Sequence, residues 1–157
     1  MELEDSKVQD LLNFLRKQNS AVLATIKTGN VAHAATIYFY TEDDLRFYFL
    51  TKNSTMKFTN IKENHSVALV ISDPDNLETV QVEGIAREVD YAKEYSQTME
   101  KFTQKLESRG KEWEKIPLNH IQNKGYYVFV QITPTWIRWT DYKDWEHQVK
   151  FEQKFPA

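Results

Sequence analysis

Seven short runs rich in β-branched and aromatic residues follow one another in this chain, and most of the joints between them are too short to hold a helix. The runs are 20–26, 31–40, 45–50, 67–71, 77–89, 126–132 and 135–139. Lys27-Thr28-Gly29-Asn30, Thr41-Glu42-Asp43-Asp44 and Ser72-Asp73-Pro74-Asp75-Asn76 join neighbouring runs as polar turns. Strands joined this tightly run antiparallel, because a parallel pair needs a crossover of a dozen or more residues. Helices are left for the N-terminus, for 55–63 and for the stretch after 89. The pattern predicts a mainly β fold with flanking helices, about six or seven mostly antiparallel strands forming a closed or partly closed barrel. This arrangement is preferred to a doubly wound parallel sheet, which would need helices between most strands.

Residues 5–18 are expected to be helical, with Val8, Leu11, Leu12 and Leu15 on one face. The strand 31–40 has at its centre His33-Ala34-Ala35-Thr36-Ile37-Tyr38-Phe39, where small residues stand next to bulky ones. Small side chains let a flat group lie against the backbone, and they equally accommodate a helix. Val67-Ala68-Leu69-Val70-Ile71 is continuously apolar, which predicts a strand buried on both faces. Gly84 interrupts the strand 77–89 as a bulge or bend. Residues 91–108 carry Tyr95, Met99, Phe102 and Leu106 at helical spacing, a core-facing stripe that Arg109-Gly110 ends. Lys111 to Lys124 reads as irregular, with Trp113 and Ile116 as anchors. Pro134 separates the strand 126–132 from a last short one, Thr135 to Trp139. The tail 141–157 receives no assigned place.

The 157 residues make one domain, long enough to close a core. No apolar run nears the ~20 residues of a membrane helix. The acidic start Met1-Glu2-Leu3-Glu4-Asp5-Ser6-Lys7 has no signal-peptide core, so a cytoplasmic location is expected, with no membrane partner. The absence of cysteine removes thiol catalysis, disulfides and thiolate-held metal. A net charge of −3 without a long basic run argues against nucleic acid as the main partner. In that setting the eight Tyr, nine Phe and four Trp are core and interface residues rather than base-stacking platforms.

The stretch from Leu50 to Ile61 carries the most chemistry. It reads as a strand end passing through a polar turn into a helix, with Ser54 as N-cap and Asn53 as a second choice. A helix start offers free N–H groups and the positive end of its dipole. Lys52 and Lys57 add charge, and Thr51, Ser54 and Thr55 add hydroxyls, so the parts of a phosphate site are present. An ordinary capped helix with solvated lysines is the plainer reading of the same residues.

Six segments in order resemble the flavin-binding split barrels of the pyridoxamine 5′-phosphate oxidase-like family. They are Ala21-Val22-Leu23-Ala24-Thr25, His33 to Phe39, Phe47-Tyr48-Phe49-Leu50-Thr51, Lys57-Phe58-Thr59-Asn60-Ile61, Val80-Gln81-Val82-Glu83-Gly84-Ile85-Ala86 and Pro134-Thr135-Trp136-Ile137-Arg138-Trp139. The resemblance spans roughly residues 22–139. It implies a split β-barrel homodimer with one FMN per subunit in clefts between the chains. It implies that Thr51, Ser54, Thr55 and Lys57 hold the phosphate, with Leu50 and Lys52 among the cofactor-binding residues around them. Ala35, Thr36, Ile37 and Tyr38 would lie beside the isoalloxazine, partly through backbone groups. Thr79 and Gln81 would face the flavin from a neighbouring strand, and Trp139 would reach it from the partner subunit.

Two departures from the family pattern stand out. Met56 occupies the place of an arginine that usually accompanies the phosphate-site lysine, which removes one charge-assisted contact unless Lys52 replaces it. After the last strand comes Trp139-Thr140-Asp141-Tyr142-Lys143-Asp144-Trp145, where vitamin B6 oxidases carry an Arg-x-His motif. Oxidation of pyridoxamine phosphate is therefore not expected. No catalytic acid–base pair is assigned, because a bound flavin supplies the redox chemistry. His33 is read first as a structural or solvent-facing side chain, and His65 as a helix-end cation. His120 and His147 lack metal-ligand spacing. Arg138 either stacks, grips an anionic substrate or lies on an exposed rim. The expectation is an FMN-dependent oxidoreductase of unassigned substrate. Its alternatives are a non-catalytic flavin holder or stress-linked sensor, a deazaflavin or haem in the same cleft, and a structural dimer with an empty cleft.

Overall fold

The computed structural model describes residues 2–109 and 125–156, with side chains from Asp5 onward. Its elements are α1 (Glu2–Lys17), β1 (Ser20–Lys27), β2 (Val31–Thr41), β3 (Phe47–Lys52), α2 (Met56–Glu63), β4 (Ser66–Asp73), β5 (Glu78–Val89), α3 (Ser96–Glu107), β6 (Tyr127–Asp141) and β7 (Val149–Lys154). The strands pair antiparallel in the order β3-β2-β1-β4-β5-β6-β7, and β3 returns to pair with β6. Six strands thus close a barrel and β7 adds a seventh on the edge of β6. Closure removes most of the unpaired edge that an open sheet would expose.

Alternate side chains fill the barrel. Leu23, Phe47, Phe49, Ile71, Val80, Val130, Ile132 and Ile137 are wholly buried, and Leu11, Leu12 and Leu15 of α1 join them. A second cluster lies outside the barrel wall, where Met99, Phe102 and Leu106 of α3 cover Tyr48 and Phe129. The stripe read from the sequence is therefore the buried face of α3, although the helix begins at Ser96 rather than 91. Gly110, Trp113, Ile116 and His120 lie outside the described residues.

The structure corrects three expectations about strands. β4 is buried on one face only: Val67, Leu69 and Ile71 point inward, while Val70 is 42% exposed. A barrel wall has one interior, so apolar residues on its other face need a different cover. Pro134 does not divide two strands, since β6 runs unbroken from Tyr127 to Asp141. Residues up to Ile132 pair with β3 and residues from Trp136 pair with β7, so proline, which has no N–H, falls where that edge changes partner. Leu45 belongs to a turn, with φ of 65° and its N–H donated to the Glu42 carbonyl, and the strand starts at Phe47. The unassigned tail supplies β7.

Gly84 is a bulge, as the sequence indicates: the register between β5 and β6 shifts between Glu83 and Gly84. A Cβ at Gly84 would lie 2.7 Å from the Thr133 carbonyl oxygen and 2.8 Å from Ile132 Cγ2. The first of these is backbone and cannot rotate away. Gly84→Ala is expected to destabilise the fold by about 1–3 kcal/mol, read as a lower urea midpoint at unchanged m-value.

Candidate functional site

The barrel wall opens next to the β3–α2 turn. The ladder between β2 and β3 spans only Phe39 to Thr41, whereas β1 stays on β2 from Val31 to Tyr38. β3 continues to Lys52 on β6 alone. Between the parting strands lies a split, and the chain turns there into α2. The Phe39 N–H donates to the Asn19 carbonyl at 3.4 Å, on the β1 side. Backbone groups alternate along a strand, so those of Thr36 face the split. Side chains alternate in the other sense. Ile37 is buried in the core and Ala35 half-buried on the same side, while Thr36 and Tyr38 are on the outer face, Tyr38 being 41% exposed.

Thr51, Thr55 and Lys57 converge at the end of the split. Lys57 Nζ donates to Thr51 Oγ1 at 3.5 Å, and Thr51 Oγ1 is 3.1 Å from Thr55 Oγ1. The Thr55 hydroxyl donates to the Lys52 carbonyl at 3.0 Å. Lys57 is half-buried and makes no ion pair among the described residues, and burial holds its pKa below the usual lysine value. A desolvated ammonium with two hydroxyls beside it and no carboxylate suits an anionic oxygen cluster. Lys52 and Ser54 are exposed at the rim. The N-cap position falls on Thr55, not Ser54, and makes no side-chain cap bond. Asn53 ties the turn to the residues that lead into β6, through its N–H to the Tyr126 carbonyl and its side chain to the Gly125 carbonyl. Met56 is 49% exposed.

The remaining sequence-derived positions are spread around the wall. Leu50 packs beneath α3 with the outer aromatic cluster. Thr79 donates to the Ile71 carbonyl and contacts Ser72 Oγ at 3.1 Å. Gln81 is exposed in a row that crosses five strands, Thr36-Val22-Val70-Gln81-Arg138. Trp139 lies elsewhere. Thr51 is opposite Val128, near the start of β6, and Trp139 is near its other end. The Trp139 ring is 5% exposed, 5.5 Å from the Phe14 ring, and its Nε1–H donates to Glu78 Oε2 at 2.8 Å. Arg138 pairs with Glu152 at 2.9 Å. His33 Nδ1 lies 3.4 Å from Thr25 Oγ1, which accepts from buried Asn60 of α2 at 2.9 Å, so this histidine belongs to a structural tie between α2 and the wall.

The sequence reading missed the polar side of α3. Thr98 and Lys101 bind Glu42, and one turn on Lys105 Nζ donates to the Phe39 carbonyl at 3.1 Å. Burial and the neighbouring Arg109 guanidinium push the Lys105 pKa down to about 8. Arg109 stands 5.5 Å from the centre of the Tyr38 ring. The spacing of Thr98, Lys101 and Lys105 along one helix side, with Arg109 just past its end, was the available signal. Nothing local in the sequence says which strand that side meets.

These features define a class: an antiparallel split barrel with a basic, hydroxyl-lined turn at its opening. The sequence profile of the pyridoxamine 5′-phosphate oxidase family matches residues 8–141. The chain belongs to that family. A search of curated sequences returns no match. Among solved structures, General Stress Protein 26 from Bacillus anthracis superposes with a TM-score of 0.63 at 19% identity, covering 99% of this chain and 100% of that one. A pyridoxamine 5′-phosphate oxidase-related, FMN-binding protein from Nostoc punctiforme gives 0.63 at 12%, with 97% and 94% covered. A haem-binding protein from Mycobacterium smegmatis gives 0.73 at 12%, with 94% of this chain and 57% of that one covered. At these identities the likeness is one of fold. Among the described residues no helix is long and apolar enough to cross a membrane, and no group of three or more His, Asp or Glu is placed to hold a metal.

Proposed function

We propose that the chain is an FMN-binding flavoprotein of the split-barrel type, an oxidoreductase in which the flavin, when bound, supplies the electron transfer. The observation that carries this reading is the Thr51–Thr55–Lys57 cluster at the mouth of the split, whose half-buried ammonium has no carboxylate partner among the described residues. Lys57 and the two hydroxyls would hold the phosphate, and Lys52 would reach it from the rim in place of the arginine that Met56 displaces. Thr36 offers backbone groups to the edge of a planar ring. Ala35, Ile37 and Tyr38 would shape its bed.

The reading includes a second copy of this chain. The outer face of β1, β2 and β4 exposes Val22 at 47%, Val70 at 42% and Tyr38 at 41%, with Ala24, Ala34, Ala68 and Thr36 between them. None of these strand residues is charged, although Arg109 stands beside Tyr38 at one end, and a contiguous apolar face of this kind favours a partner surface over water. Thr79 and Gln81 border the same face, so a second chain docked there would bring them toward a flavin in the split. The proposal is therefore a homodimer with the cofactor at the interface.

The test is the visible absorption of the purified protein, before and after adding FMN and removing the excess. Retained flavin bands with near-unit FMN per chain are the expected result. A haem Soret band instead would move the assignment to the haem-binding side of the fold, in line with the likeness to the M. smegmatis protein. A deazaflavin would be recognised by its own absorption after extraction. A protein that retains nothing would refute the cofactor reading. With FMN bound, consumption of a reduced pyridine nucleotide in the presence of an electron acceptor separates an enzyme from a flavin holder or stress-linked sensor.

A further inference from the structure

Resting on the cofactor reading above, we propose that Asn60, acting through Thr25, is a positioning residue. It holds the anion cluster of α2 in register with the strand segment from Ala35 to Tyr38. A ligand with a phosphate at one end and a planar ring at the other is then held at both ends together. The helix meets the barrel wall through Phe58 and Ile61, which are in the core, and through Asn60 beside them, 2% exposed. Lys57 and Asn60 are three residues apart and so share one side of the helix. The ammonium of the anion cluster therefore stands about one turn from a buried amide.

Asn60 Nδ2 donates to Thr25 Oγ1 at 2.9 Å. Thr25 is also buried, and in the β1–β2 pairing it stands opposite His33, whose Nδ1 is 3.4 Å from the same hydroxyl. Ala35 and Ile37 follow His33 on the same side of β2. A line of contacts thus runs from Lys57 along α2 to Asn60, across Thr25 and onto the strand that leads to the ring bed. A second tie between α2 and this hairpin, Thr28 to Glu63, is exposed.

A buried amide costs stability unless it is hydrogen-bonded, so a leucine would fill this core position with less desolvation. What the amide adds is direction. Packing of Phe58 and Ile61 is non-directional and leaves a short helix free to shift on the wall. A hydrogen bond between two buried side chains has a narrow geometry and fixes the helix in place. That register matters most to a two-ended ligand. Once one end is bound, the other binds at an effective concentration set by how well the two half-sites match the span of the ligand. A molecule that fills one half-site is indifferent to the span. Neither Asn60 nor Thr25 belongs to the anion cluster or to the ring bed, so their effect is indirect.

The experiment measures the affinities of FMN, of riboflavin, which lacks the phosphate, and of inorganic phosphate alone. The proteins are the parent, Asn60→Leu, Thr25→Ser and the double variant Thr25→Val/Asn60→Leu, whose apolar pair removes the bond without stranding a donor. Urea unfolding reports the stability of each. Asn60→Leu should weaken FMN about tenfold while riboflavin and phosphate each stay within about threefold of the parent. The double variant should behave alike, and Thr25→Ser, which keeps the hydroxyl, should retain the parental FMN affinity. Unchanged FMN affinity in the folded apolar variants would overturn the proposal. So would a parallel loss for all three probes, which is what a purely structural role produces. Should Asn60→Leu not fold, the double variant decides; if neither folds, the pair is a folding requirement and the positioning role is refuted. A parent that does not bind FMN would refute the cofactor reading itself, whereas a parent that binds it beside unaffected variants refutes the role of Asn60 alone.

Discussion

Trp139→Ala should remove about 3–5 kcal/mol of folding stability, the largest loss expected from a single substitution in the described core. The indole is 5% exposed, packs on Phe14 of α1 and sits 4.0 Å below Lys150 Nζ. Its N–H donates to Glu78, whose side chain is 13% exposed. Alanine would leave a cavity beneath α1 and take a neutral donor from a mostly buried carboxylate, with Lys150 at 3.4 Å as its remaining partner. Urea unfolding of the variant against the parent measures the loss. A change below ~1 kcal/mol would mean that the indole does not occupy the interior as described. Because this side chain is committed to its own barrel, weaker FMN retention by Trp139→Ala counts as a cofactor effect only at temperatures where the variant stays folded. Trp139→Phe, which keeps most of the volume and loses the N–H, separates packing from the Glu78 bond.

The second large effect is on binding. Lys57→Ala is expected to weaken FMN by about 10–100-fold, since a charge-assisted contact contributes roughly 1.5–3 kcal/mol. Stability should change little, because the ammonium is half-buried without a counter-ion among the described residues and its removal relieves a desolvation cost. The loss should be steeper than in a relative with an arginine at the adjacent position, as Met56 leaves Lys57 as the nearest cation to the two hydroxyls. Titration of the apo-protein with FMN by flavin fluorescence, alongside urea unfolding, separates the two quantities. Equal affinity in variant and parent would remove the phosphate assignment. Equal losses of affinity and stability would make Lys57 a folding residue. Thr51→Val gives an independent check, deleting a hydroxyl that is buried at the same point and leaving the charge in place.

The fold was legible because strand length, turn chemistry and antiparallel pairing are local properties. Lys27-Thr28-Gly29-Asn30 made the first hairpin, with Gly29 at φ 84° and Asn30 at φ 60°. Gly84 marked its bulge because a side chain there meets backbone. The apolar stripe of α3 was visible from spacing alone. Legibility stopped where a residue's meaning depends on a partner far along the chain. Val67 to Ile71 is uniformly apolar, and only barrel closure decides that Val70 faces outward. Pro134 reads as a break, and only the exchange of β3 for β7 beside β6 shows why the strand passes through it.

For the site the division is the same. The sequence by itself brought Thr51, Thr55 and Lys57 together at the β3–α2 turn, because they are neighbours along the chain. Tertiary structure alone decided that β2 parts from β3 beside that turn, that Trp139 turns inward onto α1, and that α3 lays Lys105 and Arg109 along β2. The last two join residues separated by dozens of positions. Closing such separations depends on the summed burial of the whole core, and no local pattern encodes that sum.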